Sequence, residues 1–167
     1  GDFKDSFNFS SDKNNNYDLS ANKTIVNDNS SLNFKVGRVI NKTISARGNK
    51  DDEKDALENN SININFENYF EKIRFFNNTY LRQTIAEYDN SVSNQTGYEG
   101  DNKMATTQFG FENLDTNNKK KYTLYYTIYD REYDERGVID KYESEVFGLK
   151  YDFSKTVSEL FSFGGGL

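Results

Sequence analysis

Apolar residues fall at every second position along several stretches of this chain, and the stretches recur from one end to the other. The clearest runs from Lys121 to Asp130: Tyr122, Leu124, Tyr126 and Ile128 share one face, and Thr123, Tyr125, Thr127 and Tyr129 share the other. A period of two is that of a β-strand. Between Glu145 and Phe153 the pattern returns, with Phe147, Leu149, Tyr151 and Phe153 set against Gly148, Lys150 and Asp152. Leu32, Phe34, Val36 and Ile40 alternate with Asn33, Lys35 and Gly37, and Ile62, Ile64 and Phe66 with Asn63, Asn65 and Glu67. Weaker runs carry Phe3, Phe7 and Phe9; Tyr17, Leu19, Ala21 and Ile25; Ala105, Thr107, Phe109 and Phe111; and Phe161, Phe163 and Leu167. With a poorly phased segment from Ile73 to Thr84, about nine strands are predicted.

Phe66, Tyr69, Phe70, Ile73, Phe76, Tyr80, Leu81, Ile85 and Tyr88 also fit helical spacing. Asn68, Asn77 and Asn78 are poor helix formers, so two strands and a tight turn are the preferred reading there. The gaps between strands alternate in length. Val26–Ser30, the residues around Asn68–Phe70, Leu114–Lys120 and Ser154–Val157 are short and rich in turn formers. Ser10–Asn16, Lys42–Asn60, Ile85–Asp101 and Glu132–Ile139 are longer and more polar.

Strands of about nine to eleven residues joined by alternating short turns and long loops are the signature of an outer-membrane barrel. The expected fold is therefore all-β: an antiparallel up-and-down transmembrane β-barrel segment, residues 1–167 supplying about nine strands of a larger barrel. The competing fold is a secreted or surface-anchored β-sandwich that binds a protein or glycan. Its strands are commonly five or six residues, and it has no reason to alternate short with long connections. A passive porin is the alternative within the membrane.

Composition narrows the function. No stretch approaches the roughly 20 apolar residues of a spanning helix. The 34% hydrophobic and 29% charged content suits a barrel, in which only alternate strand residues meet lipid. Aromatic residues make up 16% of the chain, as interface girdles require, although Trp is absent. Neither Cys nor His occurs, which removes disulfides, Cys/His zinc sites and His-based triads. A net charge of −6 argues against nucleic acid as a partner. No nucleophile and base can be placed in a cleft, so no enzymatic activity is expected.

The chain has no initiator Met and no secretory signal, and it ends at Gly164-Gly165-Gly166-Leu167 in mid-strand, so it is read as an internal fragment. Those glycines lack the Lys-Ser/Thr of a phosphate loop. The Asn-x-Ser/Thr triplets at Asn22 and Asn41 are expected by chance in an Asn-rich chain and are assigned no role.

The segments Asn29-Ser30-Ser31-Leu32-Asn33-Phe34-Lys35-Val36-Gly37-Arg38, Ser61-Ile62-Asn63-Ile64-Asn65-Phe66, Gly110-Phe111-Glu112 and Leu160-Phe161-Ser162-Phe163-Gly164-Gly165-Gly166 carry a further resemblance. With an acidic loop between the first two, their order resembles the middle of a TonB-dependent receptor barrel, most closely the cobalamin-receptor branch. The resemblance implies localisation in the bacterial outer membrane and energised uptake of cobalamin or a ferric siderophore. It also implies a 22-stranded barrel closed by a plug, with the plug and the remaining strands outside this chain. Implied partners are outer-membrane lipid and lipopolysaccharide, the TonB system acting through the plug, and a small-molecule substrate.

Within that frame, the loop carrying Asp51, Asp52, Glu53 and Asp55 is the candidate calcium site, since hard oxygen ligands gathered in one loop suit calcium. Lys50 and Lys54 partly neutralise it, and its spacing matches no defined calcium loop. A second acidic stretch, Asp130, Glu132, Asp134 and Glu135 with Arg131 and Arg136, is expected at an outer loop tip. Tyr122, Tyr126, Tyr151 and Phe153 are expected against lipid, and Tyr125 and Tyr129 toward the lumen.

Overall fold

A computed structural model describes residues 3–13, 16–44, 55–90, 95–158 and 161–167. The described residues form nine antiparallel strands and no helix. These are β1 (Phe3–Ser11), β2 (Tyr17–Asn27), β3 (Ser30–Ile44), β4 (Asp55–Phe70), β5 (Ile73–Asn90), β6 (Gln95–Asn113), β7 (Asn118–Glu135), β8 (Val138–Ser158) and β9 (Phe161–Gly166). They lie side by side in chain order in one sheet, which is open, with β1 and β9 at its edges. The helical alternative across Phe66–Tyr88 is not adopted: β4 and β5 form a hairpin there.

Strand ends differ from the expected ones. From β3 to β8 the strands run 15 to 21 residues, about twice what crosses a bilayer core at a tilt. The extra length lies at the ends expected to be long loops. Glu132–Ile139 is a tight hairpin closed by Arg136 (φ 59°) and Gly137 (φ 95°). Two consecutive residues at positive φ make a type I′ turn, whose twist matches that of the flanking strands. The β4–β5 turn falls at Glu71 and Lys72, just past the expected Asn68–Phe70, and Ser154–Val157 lies inside β8.

Register fixes which residues share a face. On β7, Tyr122, Leu124, Tyr126 and Ile128 pair with Phe111, Phe109, Thr107 and Ala105 of β6, and with Tyr151, Leu149, Phe147 and Glu145 of β8. The same rows continue through Phe75 and Leu81 of β5, Phe66, Ile64 and Ile62 of β4, and Leu32, Phe34 and Val36 of β3. They reach Ile25 and Ala21 of β2 and Phe7 of β1. The result is one apolar band across the sheet, interrupted near the β1 edge by the Lys23–Asp5 pair at 3.6 Å.

Large apolar side chains stand exposed along much of the band. On the apolar face Phe147 is 72% exposed, Phe7 69% and Leu149 63%; on the polar face Phe76 is 3% exposed and Thr123 7%. Moving one such apolar side chain out of water is worth about 1.5–3 kcal/mol. Half a dozen of them therefore match the roughly 5–15 kcal/mol that holds a whole domain folded.

The band also slants. One hydrogen-bonded row begins with Phe9 and Leu19 in β1 and β2 and ends with Lys103, Asp130 and Glu143 in β6 to β8. Another begins with Asn27, Ser30 and Asn68 and ends with Phe75, Phe111, Tyr122 and Tyr151. The strands are therefore tilted against the band they carry.

Because Gly137 sits at φ 95°, a Val there should destabilise the hairpin by about 1–3 kcal/mol, whereas an Asn should be tolerated. Urea midpoints of the two variants check this, and equal midpoints would reject the turn geometry.

Candidate functional site

The polar face carries the chemistry. Near the short-turn end, Tyr69, Arg74, Glu112, Lys121 and Asp152 occupy one register row across β4 to β8, with charges that alternate in sign from Arg74 onward. Arg74 ion-pairs with Glu112 at 2.6 Å and Glu67 at 3.4 Å, and the Tyr69 hydroxyl donates to Glu67 at 2.7 Å. Beneath this row the Phe76 ring has the Arg74 guanidinium 5.4 Å and the Lys121 ammonium 5.0 Å from its centroid. Both lie within the range of a cation–π contact. The ring lies over Gly110, where a Cβ would come 2.6 Å from Phe76 and collide with the Tyr122 carbonyl. These contacts make a rigid, charge-balanced end to the polar face.

Farther along the same face is a cavity of about 340 Å³ lined by Arg82, Thr84, Asn102, Met104, Tyr129 and Arg131. Three neighbouring strands supply it, since Arg82 pairs with Met104 and Met104 with Tyr129, while Thr84 pairs with Asn102 and Asn102 with Arg131. Arg82 donates from Nε to Thr84 Oγ1 at 3.0 Å and from Nη2 to Asn59 Oδ1 at 2.9 Å. The Tyr129 hydroxyl donates to Asn102 Oδ1 at 3.1 Å. Arg131 stacks on the Tyr133 ring at 4.0 Å, and its buried Nε, like that of Arg74, has no hydrogen-bond partner. In contrast to Arg74, neither arginine has a carboxylate ion pair among the described residues. The cavity is polar, cationic and open, and suits binding more than bond making.

The apolar face is built differently. Phe75, Phe111, Tyr122, Tyr151, Phe153 and Phe163 form a row of rings, each centroid 4.7–6.4 Å from the next, along the short-turn edge of the band. Polar residues inside the band satisfy one another. Asn77 Nδ2 donates to Thr107 Oγ1 at 3.2 Å, and the Thr79 and Thr107 hydroxyls are 3.0 Å apart. On the side away from the short turns, charges gather as Arg38–Glu58, Lys103–Asp101 and Lys141–Glu132 pairs.

Of the candidate calcium ligands, Asp51, Asp52 and Glu53 lie outside the described residues, as does the side chain of Asp55, the first residue of β4. The second acidic stretch is split by the pleat: by register Asp130, Glu132 and Asp134 lie on the apolar side and Arg131 and Glu135 on the polar side. Tyr125 and Tyr129 lie on the polar face, and Tyr122, Tyr126, Tyr151 and Phe153 on the apolar face. Sequence reasoning missed Arg82 and recognised Arg131 only as part of a charged loop tip. The phase of the flanking Leu81 and Ile128 was the available signal.

The chain matches no family model, no curated protein and no solved structure, so the functional argument rests on its residues and fold.

Replacing Arg74 by Met leaves Glu67 and Glu112 together without their cation, whereas Glu112→Gln leaves Arg74 with Glu67. The first should cost about 1–3 kcal/mol and the second less, as their urea midpoints will show. The reverse order would contradict a hub centred on Arg74.

Proposed function

We propose that the chain is part of the wall of a β-barrel in a bacterial outer membrane, its apolar face against lipid and its polar face toward the interior. The observation that carries this reading is the apolar band itself, a continuous face whose large side chains stand exposed with no other described strand packed over them. In water that arrangement is costly; in lipid it is required, because the hydrocarbon accepts only apolar side chains and fully paired backbone. Three features support it: the slant of the band, as in tilted barrel strands; the aromatic row along one edge, as in an interface girdle; and the mutual pairing of Asn77, Thr79 and Thr107 within the band. A β-sandwich needs a second sheet against the apolar face, and all described strands belong to one.

Within this reading the barrel is a TonB-dependent transporter for cobalamin or a ferric siderophore, binding its substrate and passing it inward without covalent catalysis. The resemblance of its strand motifs to such receptors supports this. So do strands that continue well beyond the apolar band, giving a tall inner surface.

The test uses the complete protein with single cysteines at Leu149 and Thr127, each carrying a fluorophore, after reconstitution in liposomes. Spin-labelled lipid should quench the probe at 149 and leave that at 127 largely unaffected; aqueous iodide should do the reverse if the interior is wet. A protein that folds in plain buffer, with the probe at 149 indifferent to lipid, would overturn the barrel. Uptake of labelled cobalamin or ferric siderophore should depend on TonB, and uptake unaffected by loss of TonB would leave a passive pore.

A further inference from the structure

We infer that the cavity between Arg82 and Arg131 is an oxyanion-binding site, taking the carboxylate or phosphate group of a solute on the polar face. This rests on the reading of that face as the inner surface of a barrel. Two guanidinium groups line one cavity of about 340 Å³ from strands on either side of β6. Like charges sharing one cavity raise each other's energy unless an anion lies between them. Elsewhere the sheet supplies that anion from its own side chains, since Arg74 has Glu67 and Glu112, and Arg38 has Glu58.

Here the partners are neutral. Arg82 is held by Thr84 and Asn59, which fix its plane and leave Nη1 without a partner among the described residues. Arg131 is held by stacking on Tyr133, which fixes its plane and consumes none of its N–H donors; its buried Nε lacks a hydrogen-bond partner. Asp140, diagonal to Arg131 in the register, makes no ion pair with it. Two planar donors, each oriented by contacts that leave donors open, make a preorganised receptor for a planar or tetrahedral oxyanion. Tyr129 and Asn102 add polar groups on the cavity wall, and the volume leaves room for the body of the ligand to extend along the face.

The experiment is calorimetric titration of the detergent-solubilised complete protein with inorganic phosphate and, separately, with citrate, each variant first shown to retain its β circular-dichroism spectrum. Saturable binding of at least one probe is expected, weakened about ten-fold or more in Arg82→Gln and in Arg131→Gln. Lys35→Gln, on the same face in β3 away from the cavity, should bind as the parent does. Binding of phosphate alone assigns the site to phosphate esters, and binding of citrate alone to carboxylates; both sustain the inference. A folded parent that binds neither probe, or binding that ignores both arginine substitutions, would overturn it. Titration in detergent reads neither lipid contact nor uptake, so its failure is separable from failure of the barrel reading.

Discussion

Each strand of this sheet is held to the next by the antiparallel ladder of backbone hydrogen bonds between sequence neighbours, and described strands touch no others. Among the described residues there is no second layer whose packing would correct an error in pairing. A slip of one residue in any ladder would turn a whole strand over and bring its charged side chains to the apolar side. Register is therefore the constraint on which the band, the aromatic row and the cavity all depend. Bonds outside the ladders reinforce it at the short-turn end: Tyr69 N–H donates to the Asn29 carbonyl, Leu114 N–H to Lys72 and Thr156 N–H to Asn117.

The two sides of the sheet resolve different electrostatic problems. On the apolar side, the neutral polar groups Asn77, Thr79 and Thr107 close on one another, and charge enters at the Lys23–Asp5 pair near the β1 edge and at Glu145 in the Ile128 row. On the polar side, charge is admitted but unevenly. The end around Arg74 is internally balanced and held over a buried ring, whereas the region around Arg82 and Arg131 carries positive charge that the sheet itself does not neutralise. The first arrangement ties its end of the sheet together, and the second leaves basic side chains without an acidic partner among the described residues. Both are reached by the same alternation that sends their apolar neighbours the other way.

Where a strand crosses the apolar band, its sequence announces it. β7, β8 and β3 were legible because every second residue is large and apolar there, and the strand count of nine followed. Strand ends were not legible, because beyond the band the alternation stops: the apolar Val138 and Ile139 fall on opposite faces of β8 and Asp101–Lys103 is polar throughout, yet both stretches remain paired. The segment Ile73–Thr84 looked poorly phased because Asn77 and Thr79 face the apolar side while Phe76 and Tyr80 face the polar one. That mixture is explained by hydrogen bonds and a ring over a glycine, neither visible in periodicity. The acidic stretch at Asp130–Glu135 looked like one cluster in sequence and is divided by the pleat. Arg82 and Arg131 lie on separate strands, and only the register brings them to one cavity.

The slant of the apolar band has a geometric consequence for any tube that this sheet helps to close. The circumference of such a tube depends on how many strands it contains and how steeply they lean, and the lean is already set here by the offset between apolar position and hydrogen-bonded row. Lumen width is then governed by the number of strands added at the β1 and β9 edges. Width can change through added or lost hairpins while the existing ladders keep their pairing, so the bore is separable from the chemistry of the wall.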